Sequence, residues 1–294
     1  MHWDRSMASM LALLVFAWTN AAIAAPEPAR AASSVGCAEF ADNEQAARGL
    51  QLETTQAERA SVPPPEGSLH ALADCYARLN DITGQLWALE KLVTYYPRPA
   101  YWTELITRMQ QRKDFGERLA LDVMRLRKAT KTLDRAEDYL VIVTLSTKAG
   151  YPAEAKAALE EGFTRGILGT GSQGAQHREL RARASRETIE ARRLAHNPEE
   201  QRRATDAKNG EALLTLGYAH VTLGEYAQGL QLMKQGMRKG GIDKPQDAVM
   251  RLGIAYLLAG QKSQALVTLA SVTGAHGAAD LGRLWYLYAL HDSM

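Results

Sequence analysis

The chain is predicted to be all-α, and three observations carry that expectation. Apolar residues recur at i, i+3, i+4 and i+7 from about residue 67 onward, no segment keeps the two-residue alternation of a strand, and the helix pairs begin at a near-constant interval. With 294 residues, 46% of them hydrophobic and 23% charged, the sequence has the make-up of a folded protein long enough to bury a core. Lys and Arg number 35 against 33 Asp and Glu, for a net charge of +2. No electrostatic argument therefore points to a nucleic-acid or anionic-membrane partner.

The N-terminus reads as a signal peptide over residues 1–24. Arg5 precedes an apolar run from Met7 to Trp18, and the small-residue stretch Ala22-Ile23-Ala24 follows, with cleavage expected after Ala24. The run is shorter than the roughly 20 residues that a membrane-spanning helix needs. Ser34-Val35-Gly36-Cys37 has lipobox-like letters, but the polar, Pro-containing residues before it argue against lipidation. Residues 25–36, rich in Ala, Pro and Ser, read as a flexible leader. Residues 37–66 form an N-terminal helical segment ended by Pro63-Pro64-Pro65, which remove consecutive amide donors and force extended backbone.

Export would permit a disulfide between Cys37 and Cys75, the only two cysteines. The alternative is that Cys75, on an apolar helix face, serves as a small buried hydrophobe.

From 67 to 273 the pattern is one of paired amphipathic helices. The first apolar anchors are Leu69, Trp102, Tyr139, Leu213 and Val249, at intervals of 33, 37, 74 and 36 residues. Since 74 is twice 37, a degenerate unit is expected over 174–205, starting near Gln176, with its two helices breaking near Arg186-Glu187; the competing reading is one long helix, since no strong breaker precedes Pro198. About six units result. Residues 274–294 add a capping helix carrying Leu281, Leu284, Trp285, Tyr288 and His291 at helical spacing.

The last two units carry the clearest motif. Leu213, Leu216-Gly217, His220, Gly224, Tyr226, Gly229 and Met233 run in the same order as Val249, Leu252-Gly253, Tyr256, Gly260, Ala265 and Leu269. Gly217 and Gly253 let the paired helix approach closely, and the turn glycines suit a left-handed helix end. This pattern resembles the tetratricopeptide repeat (TPR). The earlier units match more loosely, and Arg118 stands where the repeat has a small residue. The resemblance implies a right-handed superhelical solenoid of TPR-like helix pairs, acting as a non-enzymatic adaptor that takes a peptide or partner helix in its concave groove. Exported bacterial TPR proteins of this kind often accompany envelope machines such as TonB-ExbB-ExbD, secretion or polymer-export systems. A periplasmic protein-binding scaffold is the expectation. The alternative is an accessory or catalytic domain of a polysaccharide- or peptidoglycan-processing enzyme, for which Glu104 and Asp74 offer no obvious carboxylate pair.

Positions one, five and eight after each anchor should line the groove. They are Thr103, Thr107 and Gln110 in the second unit, Leu214, Tyr218 and Val221 in the fifth, and Met250, Ile254 and Leu257 in the sixth. The N-terminal groove is thus expected to be polar, and the C-terminal groove an apolar protein-binding wall; the alternative is that Tyr218, Ile254 and Leu257 pack against the next repeat or the capping helix. No catalytic residue or cofactor is assigned. Gly169-Thr170-Gly171-Ser172-Gln173-Gly174 has the letters GxGxxG, but no strand precedes it, so it reads as an inter-repeat loop. No two histidines lie four apart on one helix and no CxxC occurs, so spacing argues for no metal site. The Arg-rich stretch from His177 to Arg203 reads as a basic patch for an acidic partner or as a solvated helix face. Arg183 with Glu187 and Arg186 with Glu190, each four apart, favour the solvated face.

Overall fold

The computed structural model describes Cys37 and residues 42–291, which belong to one compact unit. The expected signal peptide and leader lie outside these residues. Among the described residues there are 14 α-helices and no strand. Helix α1 (Asn43–Arg59) is capped by Asp42, whose side chain accepts from the Glu44 and Gln45 amides, and it ends before the prolines. Then follow α2 (Glu66–Arg78), α3 (Ile82–Tyr95), α4 (Pro99–Gln110), α5 (Ala120–Ala129), α6 (Ala136–Lys148), α7 (Pro152–Thr164), α8 (Gly174–Ala195), α9 (Pro198–Asp206), α10 (Glu211–Thr222), α11 (Tyr226–Lys239), α12 (Pro245–Leu258), α13 (Lys262–Ala270) and α14 (Ala278–His291).

The best-packed neighbours are consecutive helices: α2 with α3, α6 with α7, α10 with α11 and α12 with α13. Each of these hairpins turns on one residue in left-handed conformation, Asn80 (φ 54°), Gly150 (φ 82°), Gly224 (φ 81°) and Gly260 (φ 71°) respectively. In the α10–α11 hairpin the backbones nearly touch. A Cβ on Gly217 would stand 2.7 Å from the Gly229 carbonyl oxygen, and one on Gly229 2.6 Å from the Gly217 oxygen. The disulfide between Cys37 and Cys75, whose Cα atoms are 5.1 Å apart, ties the start of the described chain to α2.

The Arg-rich stretch differs from expectation. Helix α8 runs unbroken for 22 residues, so the break expected near Arg186-Glu187 does not exist. No Gly or Pro interrupts it before Asn197-Pro198, where Asn197 caps α9 and Pro198 occupies its first turn. A first helix does begin close to the expected place, at Gly174, but the second is only the short α9. Helix α8 buries just Gly174, His177, Ala184 and Ala195, so burial contributes little to its docking. Ala184 packs into the α6–α7 apolar cluster with Leu180 against it, and ion pairs add to the docking: Arg181 to Glu160 at 2.6 Å, and Arg192 to Glu225. Arg183 pairs with Glu187, as its spacing predicts, but Glu190 pairs with Arg193 and not with Arg186. The glycines before α8 form a turn of positive φ at Gly169 and Gly171, preceded by helix α7.

The core joins the two ends of the chain. Leu69, Leu89, Trp102 and Leu126 share one apolar cluster with Met250, Ile254, Leu281 and Trp285. Helix α14 therefore packs on α12 and α13 and also reaches α3. The rings of Trp102 and Tyr288 lie 6.5 Å apart, and Trp285 meets Tyr288 edge to face at 5.8 Å. Polar contacts follow the same seam: Arg112 to Asp280 at 3.2 Å, Arg283 to Glu90 at 2.5 Å, and the Gly116 amide to the His276 carbonyl at 3.1 Å.

Two stability measurements check this packing. Gly217→Ala is expected to cost about 1–3 kcal/mol by overpacking, whereas Gly49→Ala, on the exposed face of α1 with nothing within 4 Å, is expected to gain about 0.5–1 kcal/mol. Reduction of the Cys37–Cys75 bridge, which closes a 38-residue loop, is expected to lower unfolding stability by about 3–4 kcal/mol. Denaturant unfolding with and without reductant reads that loss directly.

Candidate functional site

Helix α5 places two charges where its pattern calls for apolar side chains. Leu119, Val123 and Leu126 are fully buried, and so is Asp122, which lies on the same side three residues after Leu119; Arg125 is 6% exposed. A charge in such surroundings survives only if paired. Arg125 Nη1 donates to Asp122 Oδ1 at 2.7 Å, while its Nε and Nη2 grip both oxygens of Glu154, on α7, at 2.7 Å each. Asp122 Oδ2 accepts from Arg251 of α12, at 3.1 Å from Nε and 2.9 Å from Nη2. The two carboxylates and two guanidiniums thus alternate and cancel.

Aromatic faces complete the enclosure. The Arg125 guanidinium lies 4.4 Å from the Tyr218 ring centroid and 5.4 Å from that of Tyr151, and the two rings meet at 5.2 Å. Burial pushes both phenols up, so they stay neutral. Burial also pushes the Asp122 carboxyl up, but Arg251 and Arg125 outweigh it and hold the group below the usual carboxylate range. A second crossing lies beside the first: Arg118, in the turn before α5, grips Asp247 of α12 with Nε at 2.8 Å and Nη2 at 3.1 Å. The long Arg118 side chain thus spans to a helix 129 residues further along the chain.

Two clefts flank this network, and Tyr218 lines both. One, of about 410 Å³, is bounded by Arg118, Tyr151, Glu211, Lys244, Asp247 and Arg251. The other, of about 440 Å³, is lined by the charged Arg125, Lys128 and Glu154 together with Val221, Tyr226, Ile254, Leu257, Leu258, Trp285 and Tyr288. Within the larger cleft, Leu258 and Tyr226 are exposed, and the buried indole N–H of Trp285 has no hydrogen-bond partner among the described residues. The carboxylate of Glu154 is already held by Arg125.

The expected groove residues divide sharply. Thr103, Thr107 and Gln110 are exposed on α4, and the two hydroxyls donate back to the carbonyls of Pro99 and Thr103. None of the three lines either cleft. The apolar set is not an open wall: Leu214, Tyr218, Val221, Met250, Ile254 and Leu257 are all buried, none more than 9% exposed. Met250, Ile254 and Leu257 are core because α14 and α5 pack over them, whereas Leu214, Tyr218 and Val221 pack against Leu230 and Met233 of α11, Ala248, Leu252 and Ala255 of α12, and Tyr151; Tyr218, Val221, Ile254 and Leu257 still border the larger cleft. Spacing alone did not reveal Glu154, Arg251 or Tyr151. Asp122 and Arg125, three apart on an otherwise apolar face, were the available signal.

Asp122→Asn is expected to lower stability at pH 7 by about 3–5 kcal/mol, because it leaves Arg251 and Arg125 buried with one charge too few. The folded-state pKa of Asp122 is depressed, so the unfolded chain binds more protons between that value and the ordinary one near 3.9. The stabilisation is present above that ordinary value and lost as pH falls through the folded one. Chemical unfolding from pH 7 down to about pH 2 should therefore show the gap between wild type and Asp122→Asn closing in acid.

No protein-family model matches the chain, and no similar sequence is found among the curated proteins.

Proposed function

We propose that the chain is an exported, TPR-like protein whose helix pairs wind into a right-handed solenoid, and that it holds a short segment of a partner protein in the 440 Å³ cleft. The cleft's make-up carries this reading. It combines exposed apolar side chains, Leu258 and Tyr226, with the charged side chains of Lys128 and Glu154 in one lining. The recurring left-handed turn residues and the Gly217–Gly229 contact support the repeat reading. A periplasmic setting draws support from the Cys37–Cys75 bridge, since disulfides persist in oxidising compartments. Envelope assemblies of the TonB-ExbB-ExbD, secretion or polymer-export kind are the candidate partners.

A catalytic role on envelope polysaccharide is the weaker reading. The carboxylates that border the two clefts, Glu154 and Asp247, are each gripped by two nitrogens of an arginine, so neither is free to act on a substrate.

Peptide display against the purified protein tests the proposal. Enriched peptides should bind wild type and lose at least tenfold in affinity for Leu258→Glu and for Tyr226→Ala, two changes at exposed positions that leave the fold intact. Failure to enrich any peptide, or equal affinity for all three proteins, would overturn it.

A further inference from the structure

Three side chains from three element ends meet where α8 finishes beside the α10–α11 turn. His196 ends α8, His220 lies in the last turn of α10, and Glu225 immediately precedes α11. Gly224, at φ 81°, and the Glu225 amide, which donates to the His220 carbonyl at 2.9 Å, define the turn between the last two. His220 Nδ1 stands 2.6 Å from Glu225 Oε2, and His196 Nε2 reaches the same oxygen at 3.0 Å. The imidazoles meet edge to face, 5.3 Å between centroids. One donor atom from each residue lies within 4.8 Å of those of the other two.

We propose that His196, His220 and Glu225 form a binding site for a divalent transition-metal ion of the Zn²⁺ type. Two imidazole nitrogens and one carboxylate oxygen are a donor set that Zn²⁺ takes at about 2.0–2.2 Å, with the fourth position left to water or a further ligand. In the metal-free arrangement both imidazoles converge on a single carboxylate oxygen. An ion seated among the three donors replaces those two hydrogen bonds with coordination, and the donor atoms are already close enough that side-chain adjustment suffices. His220 is fully buried and its Nε2 has no hydrogen-bond partner among the described residues, so Nδ1 is its working nitrogen. The His196 side chain is half exposed, which gives an ion a way in from solvent.

Arg192 sets the limits of the site. Its Nη1 bonds Glu225 Oε1 and its Nη2 bonds the Leu223 carbonyl at 3.2 Å, so Glu225 would offer Oε2 alone, as a monodentate ligand. The guanidinium charge also opposes a cation, which favours ions that bind imidazole strongly over oxygen-seeking Mg²⁺ or Ca²⁺. The ion would staple the end of α8, which buries only Gly174, His177, Ala184 and Ala195 along its 22 residues, to the α10–α11 pair.

Untagged protein, stripped with chelator, is titrated with ZnCl₂ by calorimetry and with CoCl₂ by visible absorption. The expected result is one Zn²⁺ per chain, a raised unfolding temperature, and the intense bands of four-coordinate Co²⁺. His196→Ala and Glu225→Gln should each weaken Zn²⁺ binding by more than about tenfold, the least that even an outer-shell change costs. His70→Ala, at an exposed histidine far along the chain, should bind as wild type does. Circular dichroism of the metal-free variants separates lost binding from lost fold, and the wild-type Co²⁺ spectrum reads the ligand set without any substitution. Absence of saturable binding by wild type, or unchanged affinity in both His196→Ala and Glu225→Gln, would overturn the proposal.

Discussion

The buried alternation of Glu154, Arg125, Asp122 and Arg251 is the constraint to which the rest of the molecule is fitted. Ionic groups removed from water cost several kcal/mol each unless every lone pair and proton finds a partner. Here the partners come from α5, α7 and α12, with 129 residues between Asp122 and Arg251. These helices cannot drift apart without exposing a lone charge to an apolar interior. Apolar burial would accept many neighbouring arrangements, whereas a bidentate pair accepts very few. The network thus does less for total stability than for choosing one arrangement among several that would bury similar area.

Around that point the fold is assembled from local units. Hairpins such as α10–α11 are specified within some 30 residues by a left-handed turn residue and small contact residues, so they draw on short-range contacts. The joining of first and last helices is different in kind. It rests on α14 packing against α12, α13 and α3, and on a seam of guanidinium–carboxylate pairs, Arg118 with Asp247, Arg112 with Asp280 and Arg283 with Glu90. An open stack of repeats leaves its inner wall free for a partner. Here the apolar residues of α10 and α12 are buried by the chain itself, and Leu258 and Tyr226, both exposed, line a cleft beside them. Recognition there would rest on a few exposed anchors held by a rigid frame, with little reorganisation on binding.

Helix α8 is the exception to this economy of local rules. Its sequence is rich in Arg, Glu and Ala, all good helix formers, and propensity carries it through the place where a turn was expected. Having so little to bury, it adds charged contacts with α7 and with the α10–α11 turn. The convergence of His196 on His220 and Glu225 is part of that docking.

What the sequence by itself determined is local. Apolar periodicity announced the helices, Gly224 and Gly260 marked two hairpin turns, and the small residue at Gly217 announced close approach of its paired helix, because each depends on residues a few positions apart. The tertiary structure decided everything that depends on which distant helices meet. Met250 and Ile254 have the spacing of an inner wall whether that wall is open or covered, and only the return of α14 and α5 made them core. Asp122 could be read as a charge on an apolar face, but its partner 129 residues away could not. Histidine spacing within one helix is a local pattern, whereas His196 and His220 meet from two helices, a juxtaposition set by the docking of α8 beside α10.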